Sequence, residues 1–182
     1  MIFQKLPLID AKLILIEKIE DERGFFARVF CRSEFEKNGV PSRFEQCNSS
    51  YNRKKGTLRG MHYQSAPYAE AKLVRCIKGS LYDVIIDLRP SSATYRRWFA
   101  IELKASEYKM LYIPEGFAHG YETLEDDSEL LYQVSSPFMP EYSRGVLWND
   151  PAFNIQWPLT PVVISKKDQE FLLIGTSTLY IF

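Results

Sequence analysis

The sequence predicts an all-β fold, a double-sheet jelly roll (double-stranded β-helix) with one or two short helices, on three observations. Apolar residues recur with a period of two along most of the chain. Turn-forming clusters cut that pattern into many short segments at regular spacing. Helix-start chemistry occurs at only two places. No internal repeat, low-complexity stretch or linker rich in Gly, Pro or Ser divides the 182 residues. Residues 1–182 therefore read as one domain.

In chain order, the first candidate strand covers 12–18, and Asp21-Glu22-Arg23-Gly24 turns the chain after it. A short helix follows: Ser33 is placed to cap it, Glu36 completes a capping box three residues later, and Gly39 ends it. Strands are expected at 44–51 and 58–64, separated by Lys54-Lys55-Gly56. With Arg53, those lysines make a basic run that reads as a solvated tip. Residues 72–77 and 81–88 read as a hairpin turned at Lys78-Gly79-Ser80. Asp83 and Asp87 share one face of its second strand. Segments 98–103, 110–113 and 129–134 complete the strand set, with turns at Arg89-Pro90-Ser91-Ser92 and Pro114-Glu115-Gly116. Ser165-Lys166-Lys167-Asp168 opens a second helix, and the apolar stretch 171–182 is a strand candidate for a subunit interface.

Composition excludes several function classes. Hydrophobic residues at 46% supply a real core, which rules out disorder. Lys plus Arg equals Asp plus Glu at 23 each, so the chain lacks the basic surface a nucleic-acid binder needs. No apolar run approaches the roughly 18 residues of a membrane span. Lys5, Asp10 and Lys12 interrupt the stretch a signal peptide would keep apolar. Cys31, Cys47 and Cys76 are odd in number and widely spaced, which indicates neither a disulfide framework nor a zinc site. The expected location is the cytoplasm. With His62 and His119 as the whole histidine complement, a three-histidine metal site cannot be built, although two histidines and a carboxylate could still meet. Proton transfer by a lone histidine is the first chemistry to consider.

The polar residues each allow two readings. Within Leu58-Arg59-Gly60-Met61-His62-Tyr63-Gln64, a regular strand puts Gly60, His62 and Gln64 on one face and Arg59 on the other. Gly60 would let a ligand approach the backbone beside His62, or His62 is a core histidine satisfied by one hydrogen bond. His119, in Pro114-Glu115-Gly116-Phe117-Ala118-His119-Gly120, has glycines on both sides that either admit a ligand or serve bends. Lys72 sits in an apolar strand, so it either snorkels outward or is held inward for a purpose. The Tyr132 phenol faces either the core or a cavity.

Taken in order, several stretches resemble the sugar-nucleotide epimerases typified by dTDP-4-dehydrorhamnose 3,5-epimerase. They are Asp21-Glu22-Arg23-Gly24-Phe25-Phe26, Gln46-Cys47-Asn48-Ser49-Ser50, residues 56–64, Lys72-Leu73-Val74, residues 83–89, residues 113–120, Trp148-Asn149-Asp150-Pro151 and Ser165-Lys166-Lys167-Asp168. The resemblance implies a cupin-type jelly roll that works as a homodimer without metal or other cofactor. It implies a nucleotide-linked 4-keto-6-deoxyhexose as substrate. By similarity His62 is the base, oriented by Asp168; Lys72 lies beside the 4-keto oxygen, and Tyr132 donates a proton on the opposite face. Arg23, Gln46, Asn48, Arg59, His119, Glu141 and Lys167 match the family's substrate ligands, with Phe26 beside the nucleotide or sugar. Two positions depart from the pattern: Arg28 stands where the best-known members have glutamate, and Phe138 where they have a tyrosine that stacks on thymine. Phenylalanine keeps the stacking face and loses the hydroxyl.

The residue types suit the implied chemistry. A proton beside a ketone leaves only if the enolate oxygen is stabilised, and a fixed ammonium in a dry site does that. Imidazole, with a reference pKa of about 6.5, suits the base, and an aspartate on its other nitrogen fixes the tautomer. Epimerisation returns the proton from the other side, so a second acid must stand across the ring. The expected activity is epimerisation of dTDP-4-dehydro-6-deoxy-D-glucose at carbons 3 and 5. The alternatives are a single-carbon epimerase or one acting on a CDP- or GDP-linked sugar, a 3,4-ketoisomerase, and a non-catalytic sugar-nucleotide binding module.

Overall fold

The computed structural model of the chain describes residues 1–175, and in it eight of the fourteen strands fall on segments expected from the sequence. In chain order the strands are β1 (Ile2–Lys5), β2 (Lys12–Leu15), β3 (Lys18–Asp21), β4 (Gly24–Ala27), β5 (Gln46–Asn52), β6 (Thr57–Gln64) and β7 (Lys72–Lys78). Then follow β8 (Ser80–Asp87), β9 (Trp98–Lys104), β10 (Lys109–Ile113), β11 (Phe117–Thr123), β12 (Ser128–Val134), β13 (Ser143–Gly145) and β14 (Val163–Ile164). Two short helices, α1 (Arg32–Lys37) and α2 (Lys166–Gln169), complete the set with one-turn 3₁₀ helices at Ala105–Glu107 and Pro140–Tyr142.

Two sheets face each other. One runs β1-β2-β10-β7-β12-β5, the other β13-β6-β11-β8-β9 with β14 added beside β6. This is the jelly roll the patterning predicts. Between the sheets Leu13, Val74, Ile85, Leu111, Ile113, Phe117 and Leu130 form one buried cluster. Burial of each such side chain stabilises the fold by about 1.5–3 kcal/mol. A second layer of Met61, Tyr63, Val84, Ile86, Ala118, Val146 and Phe153 backs the β6-β11-β8 surface. The segment after β13 crosses that outer face, and Glu122 of β11 lies fully buried beneath it. Its Oε2 accepts the Leu159 N–H at 3.1 Å, while Oε1 has no partner among the described residues. Burial pushes this carboxyl up to about 7.

Beyond the added strands β1, β4, β11, β13 and β14, the structure departs from the expected elements in four places. Residues 72–88 do not form a hairpin, because β7 and β8 belong to opposite sheets and the chain crosses between them at Gly79. Gly79 takes a φ of +73°, and a side chain there would collide with Ser128. The 12–18 strand divides: β2 pairs with β10, whereas β3 is wholly exposed and pairs with β4 alone in a protruding hairpin. The capping box of α1 does not form. Cys31 occupies the cap position with no side-chain cap bond, and Glu36 instead accepts from the Ser42 hydroxyl at 2.7 Å. Residues 171–175 run as coil, tied down by the Ile174 N–H to Asp150 Oδ2 at 2.6 Å; the remainder of the expected strand lies outside the described residues. The second helix forms as read, with the Ser165 hydroxyl accepting the Asp168 N–H at 3.1 Å.

Candidate active site

A cavity of about 800 Å³ opens between the sheets at one end of the roll. The β5-β12-β7 side contributes Gln46, Asn48, Tyr132, Val134 and Lys72. Their common orientation follows from register, since Tyr132 lies opposite Asn48, and Val134 lies opposite both Gln46 and Lys72. The facing side contributes Arg59, His62 and Gln64 of β6. Arg59 was expected on the other face of that strand, and the register shows why it is not. His119 pairs with His62 and Tyr121 with Arg59, so two residues of β11 span three of β6. The extra residue is a bulge that turns Arg59 back toward the cavity. Gly60 and Gly120 make it sterically possible: a Cβ on Gly60 would stand 2.5 Å from Gly120 Cα, and one on Gly120 would stand 2.5 Å from Met61 Sδ.

His62 Nε2 lies 2.7 Å from Asp168 Oδ1. With Nε2 donating to the carboxylate, Nδ1 carries the lone pair that can take a proton. Asp168 is carried in from far along the chain by β14, which adds in parallel to β6, and by α2. Its other oxygen accepts the Gly60 N–H at 3.2 Å. Burial alone would raise this carboxyl, but the His62 contact, the Gly60 N–H and the Ser165 side chain together hold it below the ordinary carboxylate range. The His62 side chain keeps 38% of its surface accessible, whereas that of Asp168 keeps 5%. Both members line the cavity, His62 as its accessible face and Asp168 as the more buried partner in its wall.

Across the cavity Lys72 is held inward, its ammonium 3.1 Å from Glu70 Oε1. Tyr132 also faces in. Burial raises its phenol pKa, Glu70 adds to the rise and Arg59 opposes it, so the hydroxyl stays protonated at neutral pH. Arg59 is positioned by its Nε donating to Asn52 Oδ1 at 2.7 Å, and Lys167 reaches the Ser143 hydroxyl at 3.3 Å. Phe138 sits at the rim, its N–H donating to Gln46 Oε1 at 3.2 Å.

Of the thirteen side chains singled out in the sequence, nine line this cavity: His62, Lys72, Tyr132, Asp168, Gln46, Asn48, Arg59, Phe138 and Lys167. Four do not. Arg23 and Phe26 stand on the β3–β4 hairpin, with the Arg23 side chain 85% and Phe26 64% exposed. Glu141 is exposed in the 3₁₀ turn at Pro140–Tyr142. His119 is buried in β11, where its Nε2 contacts both oxygens of Asp83 at 2.9 and 3.0 Å. Arg28 lies 3.8 Å from Glu34 on the exposed side of the same region. The sequence reading did not single out Glu70, which lies in the connection before β7 where strand alternation gives no signal.

Among the described residues, no group of three or more His, Cys, Asp or Glu side chains is arranged to hold a metal ion. No helix among them is long and apolar enough to cross a membrane. The family profile described as dTDP-4-dehydrorhamnose 3,5-epimerase matches residues 5–175. A relative of that name from Sinorhizobium fredii is 43% identical over 169 residues, covering 92% of this chain and 87% of the relative. The structure is similar to the dTDP-4-dehydrorhamnose 3,5-epimerase of Bacillus anthracis with TDP and PPi bound, with TM-score 0.90 and 38% identity over 93% of this chain and 97% of that one. It is also similar to the dTDP-6-deoxy-D-glucose-3,5-epimerase of Legionella pneumophila in complex with dTDP-4-keto-L-rhamnose, with TM-score 0.88 and 34% identity over 94% and 91% of the two chains.

Proposed function

Because the chain belongs to the dTDP-4-dehydrorhamnose 3,5-epimerase family, we propose that it converts dTDP-4-dehydro-6-deoxy-D-glucose to dTDP-4-dehydro-L-rhamnose, with residues 1–182 acting as one domain. The observation that carries the reading is the His62–Asp168 pair facing Lys72 and Tyr132 across one cavity. Carbons 3 and 5 both flank the 4-keto group, so loss of a proton from either produces charge on the same oxygen. One ammonium, that of Lys72, therefore serves both inversions. His62 takes the proton at Nδ1 while Asp168 holds the imidazole and balances the imidazolium. Tyr132, supplied by the opposite sheet, returns a proton to the other side of the ring; His62 then gives its proton to solvent and Tyr132 regains one from solvent before the second carbon reacts. Base and acid on facing sheets suit inversion, because the substrate ring lies between them.

Arg59 and Lys167 supply the cations for the diphosphate, the guanidinium with a planar fork that matches its oxygens. Gln46, Asn48 and Phe138 line the rest, with the Phe138 ring available to stack on the nucleotide base. Arg23 and Phe26 do not line this chain's cavity, and their exposed hairpin also carries Ile19 and Phe25. That supports a homodimer in which this hairpin meets a second copy. The free thiols of Cys31, Cys47 and Cys76 suit a reducing cytoplasm.

The test is incubation with dTDP-4-dehydro-6-deoxy-D-glucose in deuterated water, read by NMR. Deuterium at carbons 3 and 5 in an L-configured product is expected. Incorporation at one carbon makes the chain a single-site epimerase, and a 3-keto product makes it a ketoisomerase. No exchange with dTDP-, CDP- or GDP-linked ketosugars leaves a binding module. Sedimentation of a monomer at assay concentration would overturn the homodimer.

A further inference from the structure

Glu70 lines the cavity but has no part in the chemistry above. It lies in the connection from β6 to β7, and its side chain is nearly as buried as that of Lys72, at 11% and 10% exposure. A carboxylate is costly to bury unless its oxygens are occupied, and both of these are. Oε1 lies 3.1 Å from the Lys72 ammonium, and Oε2 lies 3.3 Å from the Gln64 amide nitrogen. Gln64 is itself fixed on several sides. Its two amide hydrogens are shared among Glu70 and the nearer carbonyls of Tyr68 and Pro137, at 3.0 and 3.1 Å, and its Oε1 accepts the Met139 N–H at 2.7 Å. An unbroken polar chain thus runs from the loop bearing Phe138, through Gln64 and Glu70, to Lys72.

We propose that Glu70 is a positioning residue for the epimerisation: its carboxylate, anchored by Gln64, fixes the Lys72 ammonium where charge develops on the 4-keto oxygen. The inference rests on the proposed reaction. A lysine side chain is a flexible four-carbon stem, and an ammonium stabilises an oxyanion best when no reorganisation is needed at the moment of reaction. Glu70 engages one of the three ammonium protons and leaves the others for substrate. Its charge also contributes to keeping the Tyr132 phenol protonated, which is the form the returning proton requires.

The experiment compares wild type with Glu70→Gln, Lys72→Ala and the double variant in steady-state kinetics and deuterium exchange. Glu70→Gln keeps the shape and removes the charge. Its kcat is expected to fall on the order of tenfold, short of the 10²–10³ that follows removal of a direct oxyanion donor. KM should change little, because the contact at stake forms in the transition state. In the Lys72→Ala background at neutral pH, where burial already keeps Tyr132 protonated, the same substitution should cost nothing further, since Glu70 there acts through Lys72. The alkaline limb of the pH–rate profile should move to lower pH in Glu70→Gln. Glu70→Asp keeps the charge and shortens the reach, so it should lower kcat and leave that limb in place; it carries the test alone if Glu70→Gln does not fold. An active wild type whose Glu70 variants match its kcat, or a loss that is additive with Lys72→Ala, overturns the positioning role alone. A wild type inert toward every ketosugar overturns the role together with the proposed reaction.

Discussion

His62–Asp168 and His119–Asp83 are built from the same two side-chain types, and their histidines stand opposite each other in register on β6 and β11. They differ in where the carboxylate comes from and in what the imidazole can reach. Asp83 belongs to β8, the strand already bonded to β11, and both of its oxygens contact His119. The His119 side chain is 8% exposed and does not line the cavity. Asp168 arrives on a separate segment, spends one oxygen on His62 and the other on the Gly60 N–H, and leaves the imidazole 38% accessible. The contrast teaches that a histidine–aspartate pair is chemically available only when one ring nitrogen faces an accessible space; enclosed on all sides, the same pair is a tie between strands.

The sharpest test of this distinction is His62→Ala. Activity is expected to fall by about 10²–10⁴, the usual worth of general acid–base catalysis, with the thermal transition little changed. A loss of fold comparable to the loss of rate would erase the difference between the pairs. A buried carboxylate with no histidine at all, Glu122, provides the next contrast. Its pKa of about 7 in the folded chain exceeds the ordinary 4.5, so folding takes up a proton between those values and stability declines as pH rises through that window. Glu122→Gln is expected to stabilise the protein by up to about 3 kcal/mol above pH 7 and by almost nothing below pH 4.5, measured by denaturant titration at both ends.

Asp83→Asn probes the enclosed pair. It removes a charged acceptor from His119 in a dry site, and a destabilisation of about 1–3 kcal/mol is expected, with a smaller effect on kcat than His62→Ala. An equal loss of rate would mean that the enclosed pair also takes part in the chemistry. The smallest effect concerns Asp168. Its folded pKa is depressed, so its contribution to stability is complete above the unfolded value near 3.8 and fades as pH falls through the folded one. Asp168→Asn should therefore fall short of wild-type stability above about pH 4, and the gap should narrow as the solution is made more acid than that.

Most strands were legible because their alternation is local, and so was α2, whose cap, Ser165, lies three residues before Asp168. The crossing at Gly79 was not. A glycine turn between two apolar runs signals reversal, and whether the second run returns to the same sheet depends on partners such as β12 and β11, distant in sequence. The side Arg59 takes was hidden for a similar reason, since a bulge in β6 is defined only against its neighbour β11. Within the site, Lys72 and Tyr132 could each be read as outward or structural from their own surroundings. The register between β7 and β12 is what turns both toward His62. The partnership of His62 with Asp168 had no local signal, only a family resemblance.

That partnership spans 106 positions of the chain, which has a consequence for how the protein comes into being. At the roughly 5–20 residues per second of protein synthesis, His62 leaves the ribosome on the order of 5–20 seconds before the aspartate that orients it. The two sheets can close around their apolar core in that interval, because every strand of β1 through β12 precedes residue 135. Catalytic competence then waits on the docking of β14 beside β6. A nascent or truncated chain lacking β14 and α2 would retain most of the scaffold while its imidazole stayed untethered, so activity during maturation reports arrival of β14 rather than closure of the two sheets.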